Sequence, residues 1–350
     1  MQIQKYSIEF QDSSFLQLNK HLASVGYSMI FVLVDTNTKK DCLPLLQSAL
    51  SDYNLNVIEV EAGEIHKNIQ TCTNIWNALM EFQADRKSVL INLGGGVIGD
   101  MGGFCASTYK RGIEFIQIPT TLLAQVDASI GGKLGIDYGN VKNSIGLFKN
   151  PSAVYLNIAF FKTLPRAELL SGYAEVIKHA LIVDKSYWEQ ILNCPNIDKN
   201  DWKVVVERSL QVKKSIVELD PFEKGIRKSL NFGHTIGHGV ESLSLETDHP
   251  LLHGEAVALG MITELFLSNK ILGLSDEHLN LISNFIIKLF PKYNLDALSK
   301  AEVLNLIHQD KKNENGQVCF TLLEQPGKFK INVHVEDVLI MEALEYYNNL

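Results

Sequence analysis

The chain has 350 residues, with 40 Asp and Glu against 32 Lys and Arg, a formal charge of −8 and a pI near 5.7. That length favours two domains over one, and the acidic balance argues against nucleic acid as the main partner. The apolar run Met29–Val34 is too short to cross a bilayer, Met1–Phe10 lacks a signal-peptide layout, and the five cysteines form no C-x-x-C pair, so a cytoplasmic protein with reduced thiols is expected.

Up to about residue 158, short β-branched runs alternate with segments of helical period, the pattern of a parallel sheet with covering helices. Strands are predicted at Met29–Asp35, Leu55–Val60, Ser88–Leu93, Glu114–Ile118 and Val154–Ile158. A helix is predicted over Gln70–Phe82, where Ile75, Leu79 and Phe82 share a stripe. Beyond residue 159 the 3.6-residue period dominates, and helices are expected over Ala167–Val183, Trp202–Glu218, Ile226–Leu243, Gly254–Ser268 and Glu277–Leu289. Val318–Val335 reads as a hairpin turning at Gln325-Pro326-Gly327. The expected fold is an α/β, Rossmann-like nucleotide-binding domain over 1–158, followed by a mainly α domain over 159–350.

Twelve of the 24 glycines fall between Gly94 and Gly146. The run Gly94-Gly95-Gly96-Val97-Ile98-Gly99-Asp100 follows a predicted strand and opens a helix-compatible stretch, so backbone N–H groups and the helix dipole can face a pyrophosphate. A tight strand-to-helix turn with no ligand gives the same pattern. The usual acidic partner about 20 residues on is Glu114, but it starts a strand. Asp35, at the C-terminal end of the first predicted strand, is the better candidate for a ribose, or else caps a helix.

His234 and His238 stand four residues apart and share one helix face. With His253 further on, and Glu175 and Lys178 three apart on an earlier helix, they can supply two histidines and a carboxylate around an open metal position. Each histidine can equally be an ordinary core or surface residue. Cations recur beside glycine or polar turns at Lys133, Lys142, Lys213, Arg227, Lys311 and Lys312, which suits either a solvated surface or a pocket for a small anion.

Six segments, in order, carry a resemblance from about Asp35 to Lys312: GGGVIGDMGGF (94–104), IPTTLLAQVDASIGGK (118–133), KNSIG (142–146), GYAEVIKHALIVD (172–184), IRKSLNFGHTIGHGVE (226–241) and HGEAV (253–257). Together they resemble the 3-dehydroquinate synthase family. The resemblance implies an NAD-binding α/β domain and a helical metal domain, related to the iron-type alcohol and glycerol dehydrogenases. NAD would contact Asp35, Asn37, Glu64, Lys67, Gly95, Gly96, Val97, Asp100, Thr120, Thr121, Lys133, Lys142 and the turn from Phe160 to Thr163. Zinc or cobalt would sit on Glu175, His234 and His253. Asp127, Lys133, Asn143, Lys178, Lys213, Arg227, Asn231 and one of Lys311 or Lys312 would hold the substrate's phosphate and carboxylate. Glu223 and His238 would move protons, and Arg111 would reach the neighbouring site of a homodimer. Leu134, Ser171 and Pro221-Phe222 depart from the family's usual residues.

The implied reaction turns 3-deoxy-D-arabino-heptulosonate 7-phosphate into 3-dehydroquinate and phosphate, with NAD regenerated in each turnover. Alternatives are another sugar-phosphate cyclase such as 2-deoxy-scyllo-inosose synthase, a metal-dependent polyol dehydrogenase, or an NAD-binding regulator without catalysis.

Overall fold

Runs of Val, Ile, Leu and Phe bounded by Gly, Asn and Asp form strands here because branched and aromatic side chains fit a pleated, half-buried surface. The computed structural model describes residues 2–3, 6–139, 141–245, 247–309 and 318–350. The chain divides into two compact units, Met1–Pro165 and Arg166–Leu350.

The first unit runs β1 (Gln2–Ile3), β2 (Tyr6–Phe10), α1 (Leu16–Val25), β3 (Ile30–Asp35), α2 (Thr36–Asp41), α3 (Leu43–Ala49), β4 (Leu55–Val60), α4 (Ile69–Glu81), β5 (Val89–Gly94), α5 (Gly96–Thr108), β6 (Glu114–Pro119), β7 (Lys133–Tyr138), β8 (Val141–Phe148) and β9 (Ala153–Leu156). Seven strands form one sheet in the order β1-β2-β9-β6-β5-β3-β4. All neighbours are parallel except β1 and β2. Alternation along β3 sends Phe31 and Leu33 into the core under α4 and α5, and Ile30, Val32 and Val34 into the core under α1 and α3. Both faces are therefore covered, as a parallel sheet requires.

From β3 the chain steps outward to β4, then returns to β5 on the other side of β3. The order reverses there, and open sheets of this kind bind ligands at that point, beyond the carboxyl ends of the strands. This explains why the glycine turn follows the third predicted strand. It also disposes of Glu114, which starts β6 at the opposite end and accepts hydrogen bonds from Tyr27 (2.5 Å) and Ser152 (3.0 Å).

The glycines divide by task. Gly95 and Gly96 open α5, whereas a Cβ on Gly102 would come within 2.1 Å of Asn92 Oδ1, and one on Gly103 within 2.4 Å of Leu134. These later glycines let α5 lie close on the sheet. The antiparallel β7–β8 hairpin was not expected from the sequence; Gly135 pairs with Gly146, where a Cβ would sit 2.2 Å from the Leu134 carbonyl oxygen. The strand expected to reach Ile158 ends at Leu156, because Asn157 caps a 3₁₀ turn, Ile158–Lys162, by accepting from the Ala159 N–H.

The second unit holds α6 (Arg166–Val183), α7 (Lys185–Leu192), α8 (Trp202–Leu219), α9 (His234–Ser244), α10 (His253–Leu272), α11 (Asp276–Leu289), α12 (Lys300–Gln309), the hairpin β10 (Cys319–Gln325) and β11 (Lys328–His334), and α13 (Asp337–Asn349). Helix α10 is buried along most of its length and touches α6, α9, α11, α13 and β10. The single helix expected over Ile226–Leu243 is broken. A 3₁₀ turn covers Ile226–Asn231, and Gly233 takes a left-handed φ of 80° before α9 begins. Gly233 also lies so close to α10 that a Cβ would meet the Val257 carbonyl oxygen at 2.9 Å. Among the described residues no helix is long and apolar enough to cross a membrane.

Gly102→Ala should destabilise the protein by about 1–3 kcal/mol through overpacking against Asn92 and Leu33. The denaturation midpoint should fall with little change in slope; an unchanged midpoint would show that the contact relaxes without cost.

Candidate functional site

In the first unit the expected nucleotide residues gather at the carboxyl end of the sheet. Strand β5 ends at Gly94, Gly95 is the N-cap of α5 without a side-chain cap, and the first amides of α5 are left to meet an anion. Thr120 donates its N–H to the Gly94 carbonyl (3.0 Å), and the Thr121 hydroxyl accepts from the Ala124 N–H, which holds both threonines beside the turn. Asp35 caps α2: its Oδ1 accepts from the Thr38 N–H at 2.7 Å. The capping reading is thus correct, and the cap fixes the carboxylate at the strand end. Asn37 is exposed on the first turn of α2.

Lys67 is buried and donates to Asp100 Oδ2 at 2.7 Å and Asn143 Oδ1 at 2.6 Å. Burial works against its charge, but the carboxylates of Asp100, Glu64 and Asp137 outweigh it and hold the ammonium above its ordinary pKa. Lys142 lies 3.8 Å from Glu64, and Asp137 accepts from the Asn143 N–H at 2.7 Å. Asp137 has no place in the sequence reading, although its position on β7 beside Asn143 binds it into this network. Phe160 is buried against Phe15, with rings 6.2 Å apart, so its turn offers backbone and Thr163 rather than an aromatic face. Asp127 sits in a π-helical stretch, Ala124–Ala128, a rare conformation found often at functional sites. Lys133 opens β7 and is exposed, as is Arg111, held at φ 68° between Lys110 and Gly112, both also at positive φ.

In the second unit, α6 carries Glu175 and Lys178 one turn apart, both buried and in ion-pair contact. Glu175 Oε1 lies 3.2 Å from His234 Nε2 and 3.6 Å from His253 Nε2. A tetrahedral ion with bonds of about 2.1 Å would space its ligand atoms about 3.4 Å apart, so these three donors fit a zinc-like ion. Orientation supports the fit. His234 Nδ1 lies 3.1 Å from the Phe232 carbonyl, which takes the Nδ1 proton and leaves Nε2 as the lone pair.

Burial, reinforced by Lys178, lowers the His234 pKa to about 4, so the ring is neutral at pH 7 as a ligand must be. Burial opposes the charge of Glu175, but Lys178 and the imidazoles hold its pKa well below the carboxylate range. His253 meets Glu241 as well, with Nδ1 3.4 Å from Oε2; against burial, Glu241 and Glu175 raise its pKa to about 10, so an ion binding at Nε2 must displace a proton from this ring. Glu241, like Asp137, is a residue that sequence reasoning missed. Its signal was available, since it stands three residues after His238 and seven after His234, on the same helix face. The His238 ring is 5.1 Å from that of His234 and 5.8 Å from that of His253.

Lys213 on α8 and Arg227 in the 3₁₀ turn are buried. Asp220 organises the intervening loop by accepting from the N–H groups of Lys224, Gly225 and Arg227, and Arg227 Nη1 donates to the Pro221 carbonyl at 2.6 Å. Asn231 Nδ2 donates to Glu223 Oε1 at 3.0 Å, which joins two of the expected residues. Lys311 and Lys312 lie outside the described residues.

The family models for the 3-dehydroquinate synthase N-terminal and C-terminal parts match residues 57–171 and 172–313. A 3-dehydroquinate synthase of Parabacteroides distasonis is 43% identical over 333 residues, 95% of this chain and 94% of that protein. One from Acetivibrio thermocellus is 38% identical, covering 91% of this chain and 92% of its own. Among solved structures, 2-epi-5-epi-valiolone synthase from Streptomyces hygroscopicus, with NAD+ and Zn2+ bound, superposes with a TM-score of 0.88 at 24% identity, covering 100% of this chain and 98% of its own. A 2-deoxy-scyllo-inosose synthase, complexed with carbaglucose-6-phosphate, NAD+ and Co2+, gives 0.87 at 21% identity, covering 97% of this chain and 96% of its own. At such identities the structures share the fold.

Glu175→Ala and His253→Ala should each abolish zinc retention, and Glu241→Gln should weaken zinc binding roughly 10- to 100-fold by releasing the His253 ring. Chelator competition on the purified variants measures both; full zinc affinity in Glu175→Ala would remove the carboxylate from the donor set.

Proposed function

The chain belongs to the 3-dehydroquinate synthase family, and from that premise we propose that it converts 3-deoxy-D-arabino-heptulosonate 7-phosphate into 3-dehydroquinate and inorganic phosphate. One observation beyond family membership carries the reading. The unit that presents Glu175, His234 and His253 also buries three cations, Lys178, Lys213 and Arg227, in a chain of net charge −8. A multiply charged anion suits this gathering of buried cations better than a neutral polyol does.

At the substrate, the C5 hydroxyl is oxidised to a ketone, which acidifies the C6 proton. Phosphate then leaves from C7, C5 is reduced again, and the ring opens and closes as a carbocycle by an intramolecular aldol step. A divalent ion on Glu175, His234 and His253 would lower the pKa of the C5 hydroxyl, and NAD would accept and return the hydride at that carbon.

The chain's own residues position and neutralise. Arg227 offers the planar fork that grips a carboxylate with two parallel bonds, and the Pro221 carbonyl steadies one of its nitrogens. Lys178 and Lys213 supply point charges for phosphate or carboxylate oxygens. Asn231 and Glu223 act as a hydrogen-bonded pair, and His238 stands beside the donor set as a proton carrier. Asp127, Lys133 and Asn143 are the substrate contacts proposed on the first unit. Asp35, Asn37, Glu64, Lys67, Gly95, Gly96, Val97, Asp100, Thr120, Thr121, Lys142 and Thr163 are those proposed for NAD. The leaving phosphate can itself collect the C6 proton, which leaves the protein mainly orientation and electrostatics to provide. A cytoplasmic homodimer completes the reading; the five cysteines, all free thiols, suit a reducing compartment, and exposed Arg111 suits a role towards a second copy.

With the heptulosonate phosphate as substrate, phosphate release should match carbocycle formation with no net change in NADH absorbance, and EDTA should stop it until zinc or cobalt is restored. Accumulating NADH without phosphate would identify a polyol dehydrogenase instead. Arg227→Lys should raise KM for this substrate roughly tenfold or more, the cost of about 1.5–3 kcal/mol for a lost charged hydrogen bond, with NAD affinity unchanged. Equal losses for both ligands would displace Arg227 from the carboxylate.

A further inference from the structure

Glu264 lies on α10, fully buried, and none of the proposed chemistry uses it. Its Oε2 accepts from the Gly233 N–H at 2.6 Å, and its Oε1 accepts from the N–H groups of Thr235 at 3.0 Å and Ile236 at 3.3 Å. Those amides belong to the break before α9 and to its first turn, where Gly233 provides no side-chain cap. One carboxylate on a neighbouring helix therefore does the work of an N-cap, with its negative charge at the positive end of the α9 dipole.

His234 is the first residue of α9, held between two of these amides, and its Nδ1 is anchored on the Phe232 carbonyl just before the break. Glu264 follows His253 by eleven residues on α10, three helical turns, so the two lie on nearly the same face. Between them, Gly260 and Ala256 let α9 approach closely: a Cβ on Gly260 would meet the Gly233 carbonyl oxygen at 1.9 Å, and one on Gly237 the Ala256 carbonyl oxygen at 2.8 Å. Helix α10 thus bears one metal-site histidine directly and fixes the backbone of the other through Glu264.

We propose that Glu264 is a positioning residue of the metal centre, its carboxylate locking the Gly233–Ile236 backbone so that His234 Nε2 and His253 Nε2 converge on Glu175. The inference rests on the reading of Glu175, His234 and His253 as metal ligands. Glutamine has the shape of the glutamate but neither its charge nor its second acceptor oxygen, so Glu264→Gln sets an amide NH₂ against a backbone N–H whichever way it turns.

The test measures zinc dissociation by chelator competition, NAD affinity by fluorescence titration, and melting temperature, for the full-length protein and for Glu264→Gln. Zinc affinity should fall at least tenfold while NAD affinity stays within twofold, and the visible spectrum of the cobalt-loaded variant should differ from that of the unsubstituted protein. A folded variant with a lower melting temperature, but zinc affinity within twofold and an unchanged cobalt spectrum, would make Glu264 a structural cap only and overturn the proposal. Should Glu264→Gln fail to fold, Glu264→Asp keeps the charge one methylene short; a measurable loss of zinc affinity supports the proposal, and unchanged affinity overturns it. Failure of the metal reading itself would look different, because the unsubstituted protein would then not bind zinc at all.

Discussion

A fully buried carboxylate, Glu175, governs the architecture of the second unit. A charge removed from water is sustained only by close partners, and breaking a buried pair costs several kcal/mol. Glu175 meets that demand with Lys178 one helical turn away and with two imidazoles, which come from the first residues of two other helices. To deliver those imidazoles, α9 must start abruptly and lie almost in contact with α10. The left-handed Gly233, the bare Gly237 and Gly260, the carbonyl that orients His234 and the carboxylate that orients His253 all serve that convergence. A divalent ion of suitable size would satisfy the same group, which is why the donor spacing can be read as a ligand set.

The first unit solves a different problem, the approach of backbone to an anion. Reversal of strand order between β3 and β5 opens the sheet where Asp35 and Gly94 end their strands, and the uncapped start of α5 supplies amides there. Lys67 is the buried charge among the described residues of this half. Its position between Asp100 and Asn143 couples the glycine helix to the β7–β8 hairpin, so Lys67 and Asp100, both assigned to the nucleotide, are tied to Asn143 in one hydrogen-bonded group.

Much of this was legible in the sequence because the signals are local. The β-branched runs of β3 to β6, the stripe of α4 and the i, i+4 histidines need no knowledge of distant residues, and Pro326-Gly327 announces its own turn. What stayed hidden depends on tertiary contact. The break at Gly233 lies inside an unbroken helical period, and only the packing of α10 against it demands a left-handed residue there. The β7–β8 hairpin was obscured because glycines that pair across it also resemble a loop. Glu264 looks like an ordinary helical acid until the helix that faces it is known. Among the glycines, composition showed the clustering but could not separate Gly95 and Gly96, which open α5, from Gly102 and Gly103, which lie close on the sheet.

The central chemical claim is that hydride leaves C5 of the substrate and returns to the same carbon within one turnover. Heptulosonate phosphate carrying deuterium at C5, turned over by the holoenzyme in ordinary water and analysed by mass spectrometry, tests it most directly. Full retention of the label at the corresponding carbon of the carbocyclic product is the expected result. Loss of the label to solvent, or its appearance in a free pool of reduced nicotinamide, would contradict a closed oxidation and reduction on one enzyme.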